Sequence, residues 1–292
     1  MTKILLIGNQ QPKGYPGVFF NNIKTALSLA GYEYDTCSNQ EDVSNFPNYD
    51  LYFGVGDELL RRKPQLVATI KQMGGTTVDF RTKKLPNKPK VWMQSAFQPS
   101  KYKADYVFTH MQDARKNCFY VGQGFDPKYL YPEHDDYFTV LVDHYMPKRR
   151  ARVQQILDQC EKLFNERKKV RIWYHNHDGI VENLFEASSS QYQAIPFENL
   201  TAYYRKTHVF LPTHRETQGI VAAEIGHCGG LTLLEPWMYP KKTIQHIPCR
   251  FYRGAINWPE KVDFQANSDF TKKHYSIESF SKRIDTAIKA IS

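Results

Sequence analysis

Two glutamates, Glu216 and Glu224, are separated by seven residues in the stretch RETQGIVAAEIGHCGG at 215–230. The apolar run HVFLP comes just before this stretch, and a second apolar run, LTLLEP, comes just after it. Such runs predict buried strands, and the small and apolar residues between them predict a core helix that contains Glu224. A carboxylate taken out of water is costly unless something donates hydrogen bonds to it. The pattern therefore raises the question of which donor reaches Glu224.

Short apolar runs and helical patterns alternate along the chain around this segment. KILLIG (3–8) predicts a strand buried on both faces, and FFNNIKTALSLAG (19–31) predicts a helix that closes on Gly31. The alternation restarts after the polar stretch DPKYLYPEHDD (126–136), with YFTVLVDHY (137–145) as a strand, 148–169 as a helix and VRIWYHNH (170–177) as a strand. This predicts an α/β protein with two doubly wound halves, whose ligand lies at the carboxyl ends of the strands.

Length and composition agree with a soluble protein of two domains. The chain has 292 residues, of which 41% are hydrophobic and 24% are charged. We predict an N-terminal domain at 1–133, a C-terminal domain at 134–270, and a C-terminal helix at 271–292 that packs back on the N-terminal domain. No apolar run approaches the roughly 20 residues of a membrane span, and no signal peptide is apparent, so we expect a cytoplasmic protein. The five scattered cysteines argue against a disulfide framework and a structural zinc site.

Two segments resemble a known enzyme family. AYYRKTHVFLPTHRETQGIVAAEIGHCGG (202–230) is similar to the signature of retaining GT-B glycosyltransferases related to glycogen and sucrose synthases, which have Glu, seven residues and Glu. FYVGQGFDPKYLYP (119–132) resembles the inter-domain segment of that family. The resemblance implies a GT-B fold, with two Rossmann-like domains facing a central cleft. It also implies a retaining, metal-independent transfer from a nucleotide-diphosphate sugar, UDP-linked, as co-substrate and without a cofactor.

The resemblance assigns roles within the first motif. Glu216 would contact the hydroxyls of the donor sugar near the reacting carbon and act as a catalytic residue. Thr217, Gln218 and Gly219 would bind the diphosphate, because a helix N-terminus presents unpaired N–H groups and partial positive charge. Glu224 would accept hydrogen bonds from the two ribose hydroxyls. The structural alternative is a helix with Glu216 as a cap residue and Glu224 solvated.

Basic residues should stabilise the departing diphosphate, and here the sequence departs from the family. The family has Gly-Arg after the first strand of the second half, followed by a Lys. In VDHYMPKRR, His144 stands at the Arg position, and Arg149, with Lys148 adjacent, stands at the Lys position. Arg215 is a further residue that could contribute charge to the same group.

Three other features are weaker members of the predicted site. His110 ends a strand-like run of the first half and is a second catalytic candidate, although such a histidine is often structural. His175 lies in the loop that receives the nucleotide base in the family; a metal there would lack a third ligand. The loop PKGYPG, with Gly14 and Gly17, would also contact the donor. No Asp-x-Asp sequence is present, which disfavours the metal-dependent GT-A class.

The acceptor is predicted from the charge distribution. Residues 58–103 contain eleven basic and two acidic residues, an excess as large as the net charge of +9 for the whole chain. Basic loops with interleaved aromatics suit nucleic acid. In size and charge the chain also resembles small phage GT-B enzymes that glycosylate hydroxymethylated pyrimidines in DNA, and this resemblance implies a double-stranded DNA acceptor. Such an enzyme must flip the base out of the duplex. The acceptor-binding residues would include Arg61, Arg62, Lys83, Lys84 and Lys88.

Two alternatives to a DNA acceptor stay open. In the first, the enzyme transfers sugars during envelope or capsular polysaccharide synthesis, and the basic loops rest on anionic lipid headgroups. We favour DNA because no apolar amphipathic patch adjoins these loops. In the second, the chain is a non-catalytic module that binds nucleotide sugars or nucleic acid.

Overall fold

The computed structural model describes residues 2–8, 15–38, 49–55, 90–94, 106–109, 118–144, 153–176, 180–185, 191–193, 197–214 and 219–291. The chain divides into two compact units, one made of Met1–Gly124 and Ile277–Ser292, the other of Phe125–Ser276. We call them unit 1 and unit 2. The sequence-based boundaries were placed at 133/134 and 270/271, so the first lies later than the observed division and the second lies earlier.

Helices of the described ranges are α1 (Tyr15–Leu29), α2 (Val153–Glu166), α3 (Phe197–Lys206), α4 (Ile220–His227), α5 (Lys241–Ile244), α6 (Phe264–Tyr275) and α7 (Ile277–Lys289). The strands of unit 1 are β1 (Lys3–Gly8), β2 (Glu33–Ser38), β3 (Leu51–Val55), β4 (Lys90–Gln94), β5 (Tyr106–Thr109) and β6 (Cys118–Tyr120). Those of unit 2 are β7 (Phe138–Asp143), β8 (Val170–His175), β9 (Ile180–Leu184), β10 (Gln191–Gln193), β11 (Val209–Pro212), β12 (Leu231–Leu234) and β13 (Cys249–Phe251).

Unit 1 is a parallel sheet with strand order β2-β1-β3-β4-β5-β6. Its central strands are apolar because both faces are covered, and Ile4, Leu6 and Phe53 are fully buried. Helices α1 and α7 belong to the same core, where Ser281 Oγ donates a hydrogen bond to the carbonyl of Ala26 at 2.7 Å. The last helix of the chain therefore completes the core of the first unit.

Unit 2 is a seven-stranded sheet with order β10-β9-β8-β7-β11-β12-β13. Strands β8, β7, β11, β12 and β13 are parallel, and β9 and β10 add an antiparallel edge. The side chains of β7 alternate between two cores: Leu141 packs with Ala222 of α4, while Val140 packs with Ile156 of α2. Two helices on opposite faces of the sheet thus hold β7 in place, and the polar residues described below lie at the carboxyl ends of β7 and its neighbours.

Several predicted elements are confirmed and others differ. The strand at 3–8 and the strands after 137, 169, 208 and 230 are present. The helix expected at 148–169 is described from Val153 and ends at Glu166. Lys169, three residues later, has a φ of 56°, so the helix could not have continued through it. Helices α5 and α6 and the strands β2, β9, β10 and β13 were not predicted, since their segments are short or mostly polar.

Two further findings concern membrane-spanning helices and disulfides. No helix within the described ranges is both long and apolar enough to cross a bilayer. All five cysteines lie in the described part of the chain, and none of them is in a disulfide.

Candidate functional site

The sheet of unit 2 has one point where the order of its parallel strands reverses. From β7 the chain first adds β8 on one side and later adds β11 on the other side. A crevice forms at the carboxyl ends of two such strands, where parallel α/β sheets bind their ligands. Five polar residues lie in or directly after the carboxyl ends of β7, β8, β11 and β12, each at most 7% exposed: Asp143, His144, His175, Thr213 and Glu235. We call them the strand-edge cluster.

Asp143 and His175 form a buried pair across β7 and β8. Their Oδ1 and Nδ1 atoms lie 3.1 Å apart, and the two residues are register partners in the sheet. The backbone N–H of His144 donates to the carbonyl of His175 at 2.8 Å, which ties the next residue to the same place. An ionised carboxylate accepts from Nδ1–H, so the pair fixes the orientation of the imidazole ring.

Thr213 joins β7 to β11 through its hydroxyl group. Oγ1 donates to the carbonyl of Asp143 at 2.8 Å and lies 3.0 Å from Nδ1 of His144. Because the only hydroxyl proton of Thr213 is used on the carbonyl, Nδ1 of His144 must be the donor in its bond to Oγ1. The His144 ring also stacks on Tyr174, with centroids 6.0 Å apart. Ring position and tautomer of His144 are therefore set by its neighbours.

Glu224 is buried in α4, the helix that follows β11, and only 4% of the residue is exposed. No hydrogen bond to its carboxylate is found within the ranges that the structure describes. Desolvation raises the pKa of Glu224 to about 8, so the group is mostly protonated at neutral pH. Burial, followed by the nearby Glu224 carboxylate, raises the pKa of Tyr204 well above its usual value. A ligand that donates hydrogen bonds would lower the cost of ionising Glu224.

Gly219 forms the N-cap of α4 with a φ of 60° and a ψ of 35°, in the left-handed region. A Cβ atom at this position would lie 2.9 Å from Cγ2 of Thr243 and 3.1 Å from Cε2 of Tyr239. The glycine is thus required by its own backbone and by the packing of these neighbours. On that side the space is filled by protein rather than open to a ligand.

No family model matches the sequence, and no curated protein matches it. Among solved structures, a Listeria monocytogenes protein assigned as a UDP-N-acetylglucosamine 2-epimerase is 11% identical, with a TM-score of 0.56 and coverage of 99% of this chain and 96% of that one. The S. aureus MnaA–UDP co-structure is also 11% identical, with a TM-score of 0.50 and the same two coverages, 99% and 96%.

The fold is GT-B. A third similar structure is the glycotransferase of kitacinnamycin, 9% identical, with a TM-score of 0.49 and coverage of 98% of this chain and 99% of that one. At 11% identity, the likeness to the first two structures establishes the architecture alone, as the sequence resemblance implied. The side chains that act on a ligand must be argued from this chain.

Four of the predicted site residues lie in the described ranges of unit 2. His144 and His175 meet in the strand-edge cluster, while Glu224 and Gly219 lie in and before α4. In unit 1, Gly17 lies in the first turn of α1. The other predicted residues lie outside the described ranges: Glu216, Thr217, Gln218, Arg215, Lys148, Arg149, His110, Gly14, Arg61, Arg62, Lys83, Lys84 and Lys88.

Sequence reasoning missed three members of the strand-edge cluster: Asp143, Thr213 and Glu235. A usable signal existed, because each ends or directly follows an apolar strand run, in TVLVD, HVFLPT and LTLLE. The carboxyl ends of parallel strands meet at one sheet edge, so these residues could have been grouped from the strand pattern. Across the ranges described, no three His, Cys, Asp or Glu side chains are placed to hold a metal ion.

Proposed function

We propose that the protein is a glycosyltransferase whose unit 2 binds a nucleotide-diphosphate sugar. The observation that carries the proposal is Glu224, a buried carboxyl in α4 without a hydrogen-bond donor among the described residues and with a pKa raised to about 8. The two ribose hydroxyls of a nucleotide are donors that a carboxylate can accept together. Occupation by ribose would supply the missing donors and favour the ionised carboxylate.

The remaining donor contacts follow from the place of α4 in the fold. Its N-terminus follows β11 at the strand reversal, and its first N–H groups suit a diphosphate. We assign the diphosphate to Thr217, Gln218 and Gly219 and the donor sugar to Glu216. Three basic residues are assigned to the charge that develops on the departing diphosphate: Lys148, Arg149 and Arg215.

The finer part of the proposal concerns reaction and acceptor. The bond between C1 of the sugar and the diphosphate oxygen breaks, the diphosphate leaves with the electron pair, and the acceptor oxygen forms the new bond to C1 as its proton is lost. We propose a UDP-linked donor, transfer with retention at C1 and without a metal, and a 5-hydroxymethylated pyrimidine in DNA as acceptor. The DNA assignment rests on the basic residues of 58–103.

The test is an incubation of the protein with labelled UDP-sugars and duplex DNA that contains hydroxymethylated pyrimidines. We expect label on the DNA, unaffected by EDTA, with an axial configuration at C1 retained in the product. Glu216→Ala should abolish transfer while DNA binding persists, and Glu161→Ala, on the exposed face of α2, is the matched control. Normal turnover of Glu216→Ala would contradict the assignment of that residue.

Parallel reactions separate the competing functions. Label on a lipid-linked or polysaccharide acceptor, but not on DNA, would replace the acceptor assignment. A changed sugar on the nucleotide in reactions without any acceptor would indicate epimerisation, the reaction named for the L. monocytogenes protein. Binding of UDP-sugars without any product would indicate a non-catalytic module. If UDP itself did not bind, the proposal that unit 2 binds a nucleotide-diphosphate sugar would be overturned.

A further inference from the structure

Two open cavities adjoin each other on unit 2, and the described residues that line them do not include any assigned to the nucleotide. The first has a volume of about 580 Å³ and is lined by Glu235, Trp237 and Arg253, together with Gln155 and Gly254. The second, of about 630 Å³, runs along α2 towards Trp258 and shares Gln155 and Gly254 with the first. We call the two cavities together the Trp237 groove.

The geometry points to a carbohydrate-binding function: we infer that the Trp237 groove binds an extended, neutral oligosaccharide. The inference goes beyond the proposed transferase function, and none of the described residues that line the groove is one assigned to the donor or to DNA. Its grounds are a fixed aromatic surface, an immobilised wall and a balanced set of charges.

Trp237 supplies the aromatic surface, and the residue is 46% exposed. Its indole Nε1–H donates to Oε2 of Glu235, whose own exposure is only 4%. A buried carboxylate thus holds an exposed indole in one orientation. The apolar C–H face of a pyranose packs on such a ring, and an aromatic that is already ordered loses little entropy when a ligand binds.

The wall between the two cavities is held by Gln159. Its Nε2 donates to the carbonyl of Gly254 at 3.1 Å, and its Oε1 accepts from the backbone N–H of Ile256 at 2.6 Å. Both ends of one amide therefore fix the segment 254–256 against α2. Gln155, one turn earlier on α2, lines both cavities with its exposed side chain, in place for sugar hydroxyls.

Charge along the groove selects among carbohydrate and nucleic-acid ligands. The lining includes acidic Asp158, Glu166 and Glu235 and basic Lys162 and Arg253, and Lys162 lies 3.7 Å from Glu166 as an ion pair. A phosphate backbone requires an excess of positive charge, which these lining residues do not provide. Hydroxyl groups, by contrast, use carboxylates, amides and ammonium groups alike as partners.

The size and position of the groove favour a chain of sugars over a single one. Each cavity alone is in the usual size range of small-molecule pockets, roughly 300–1,000 Å³, and the two adjoin. A much smaller pocket, of about 10 Å³, shares Glu235 and Trp237 with the groove and is also lined by Thr213 of the strand-edge cluster. One end of a glycan bound in the groove would therefore lie beside the strand-edge cluster.

Calorimetric titration of the full chain with maltotetraose, cellotetraose and chitotetraose, without nucleotide, tests the inference. We expect at least one of these neutral tetrasaccharides to bind, with tryptophan fluorescence changing in parallel. Trp237→Ala should weaken that binding about tenfold or more, and Trp237→Phe should retain most of it. Phe270→Ala, which removes an exposed aromatic that does not line the groove, is the matched control and should bind normally.

A second variant protects the test if Trp237→Ala fails to fold. Gln155→Ala changes only an exposed helical side chain and should also weaken tetrasaccharide binding, by a measurable factor. Lack of binding by all three tetrasaccharides, or unchanged affinity in Gln155→Ala and Trp237→Ala, would overturn the inference. So would displacement of the sugar by a DNA duplex with the same residue dependence. Because no nucleotide sugar is used, failure here leaves the transferase proposal to its own experiment.

Discussion

Nδ1 of His144 lies 3.0 Å from Oγ1 of Thr213, although the two residues are 69 positions apart in the sequence. The contact joins the ends of β7 and β11, the two strands between which the order of the sheet reverses. Thr213 is 2% exposed and His144 7% exposed, so no bulk water replaces the hydroxyl if it is removed.

Thr213→Val is expected to lower the free energy of unfolding by about 1–3 kcal/mol, because it removes the buried hydroxyl that bonds both Nδ1 of His144 and the Asp143 carbonyl. Urea unfolding at pH 7 measures the change. Thr286→Val is the matched control: its hydroxyl donates to the Lys282 carbonyl at 2.9 Å on an exposed face of α7. Equal losses of stability in the two variants would contradict a structural role for the bond between Thr213 and His144.

The raised pKa of Glu224 predicts a stability that depends on pH. The unfolded group titrates near 4.5 and the folded one near 8, so the folded protein holds this proton more tightly. Its contribution to stability is present in full below pH 4.5 and is lost as pH rises through 8. Glu224→Gln should therefore flatten the fall in stability across this window, measured by urea unfolding at several pH values. A wild-type profile that rises over the same window and is unchanged by the substitution would refute the assignment.

Nucleotide binding should release a proton at pH 7. In the free protein Glu224 is mostly protonated, and hydrogen bonds from ribose hydroxyls favour its ionised form. UDP affinity should therefore increase as pH rises towards 8. Calorimetry at pH 7 in phosphate and in Tris, which differ in ionisation enthalpy, would give different heats for the wild type. The difference should disappear in Glu224→Gln but persist in Glu161→Gln; identical heats in the wild type would exclude ionisation of Glu224 on binding.

Alanine substitutions at two glycines with positive φ should distinguish the cost of backbone strain from the cost of a packing clash. Gly254→Ala, at φ 75° with no atom within 4 Å of the new Cβ, should cost only strain, about 1–2 kcal/mol. Gly219→Ala, at φ 60°, adds a contact of 2.9 Å with Thr243, and should cost about 1–3 kcal/mol more. It should also weaken UDP binding by displacing the start of α4. Thermal unfolding and UDP titration of both variants check this, and indistinguishable behaviour would remove the packing argument.

Lys83→Ala, Lys84→Ala and Lys88→Ala combined should weaken DNA binding and lower its salt dependence. The slope of log K against log salt should fall by about 0.9 for every phosphate that a lysine no longer neutralises. Binding of a duplex measured at several salt concentrations gives the slope. The control replaces Lys128, Lys168 and Lys261, three exposed lysines outside the basic segment, and should leave the slope nearly unchanged. An unaltered slope in the first triple variant would remove these lysines from the acceptor site.

Local pattern was enough to predict the central strands of both sheets and most helices, because residues such as Val140 and Leu141 carry the signal of a strand covered on both faces. It was also enough to single out Glu224, whose charge conflicts with the apolar residues beside it. It did not predict the partnership of Asp143 with His175 or of Thr213 with His144, since strand order and register decide these contacts. Trp237 was missed because nothing local distinguishes an indole held by a buried Glu235 from an ordinary surface residue.

The helix α7 completes a core whose other members lie before residue 125, with Phe280 and Ile284 buried in the same cluster as Phe20 and Ile23. During synthesis these late residues leave the ribosome only after all of unit 2 has emerged. Unit 1, although translated first, therefore cannot reach its final packing until the polymerisation of the chain has passed Ile291. Unit 2 has its complete set of residues earlier, so the expected order of maturation on the ribosome is the reverse of the order in the gene.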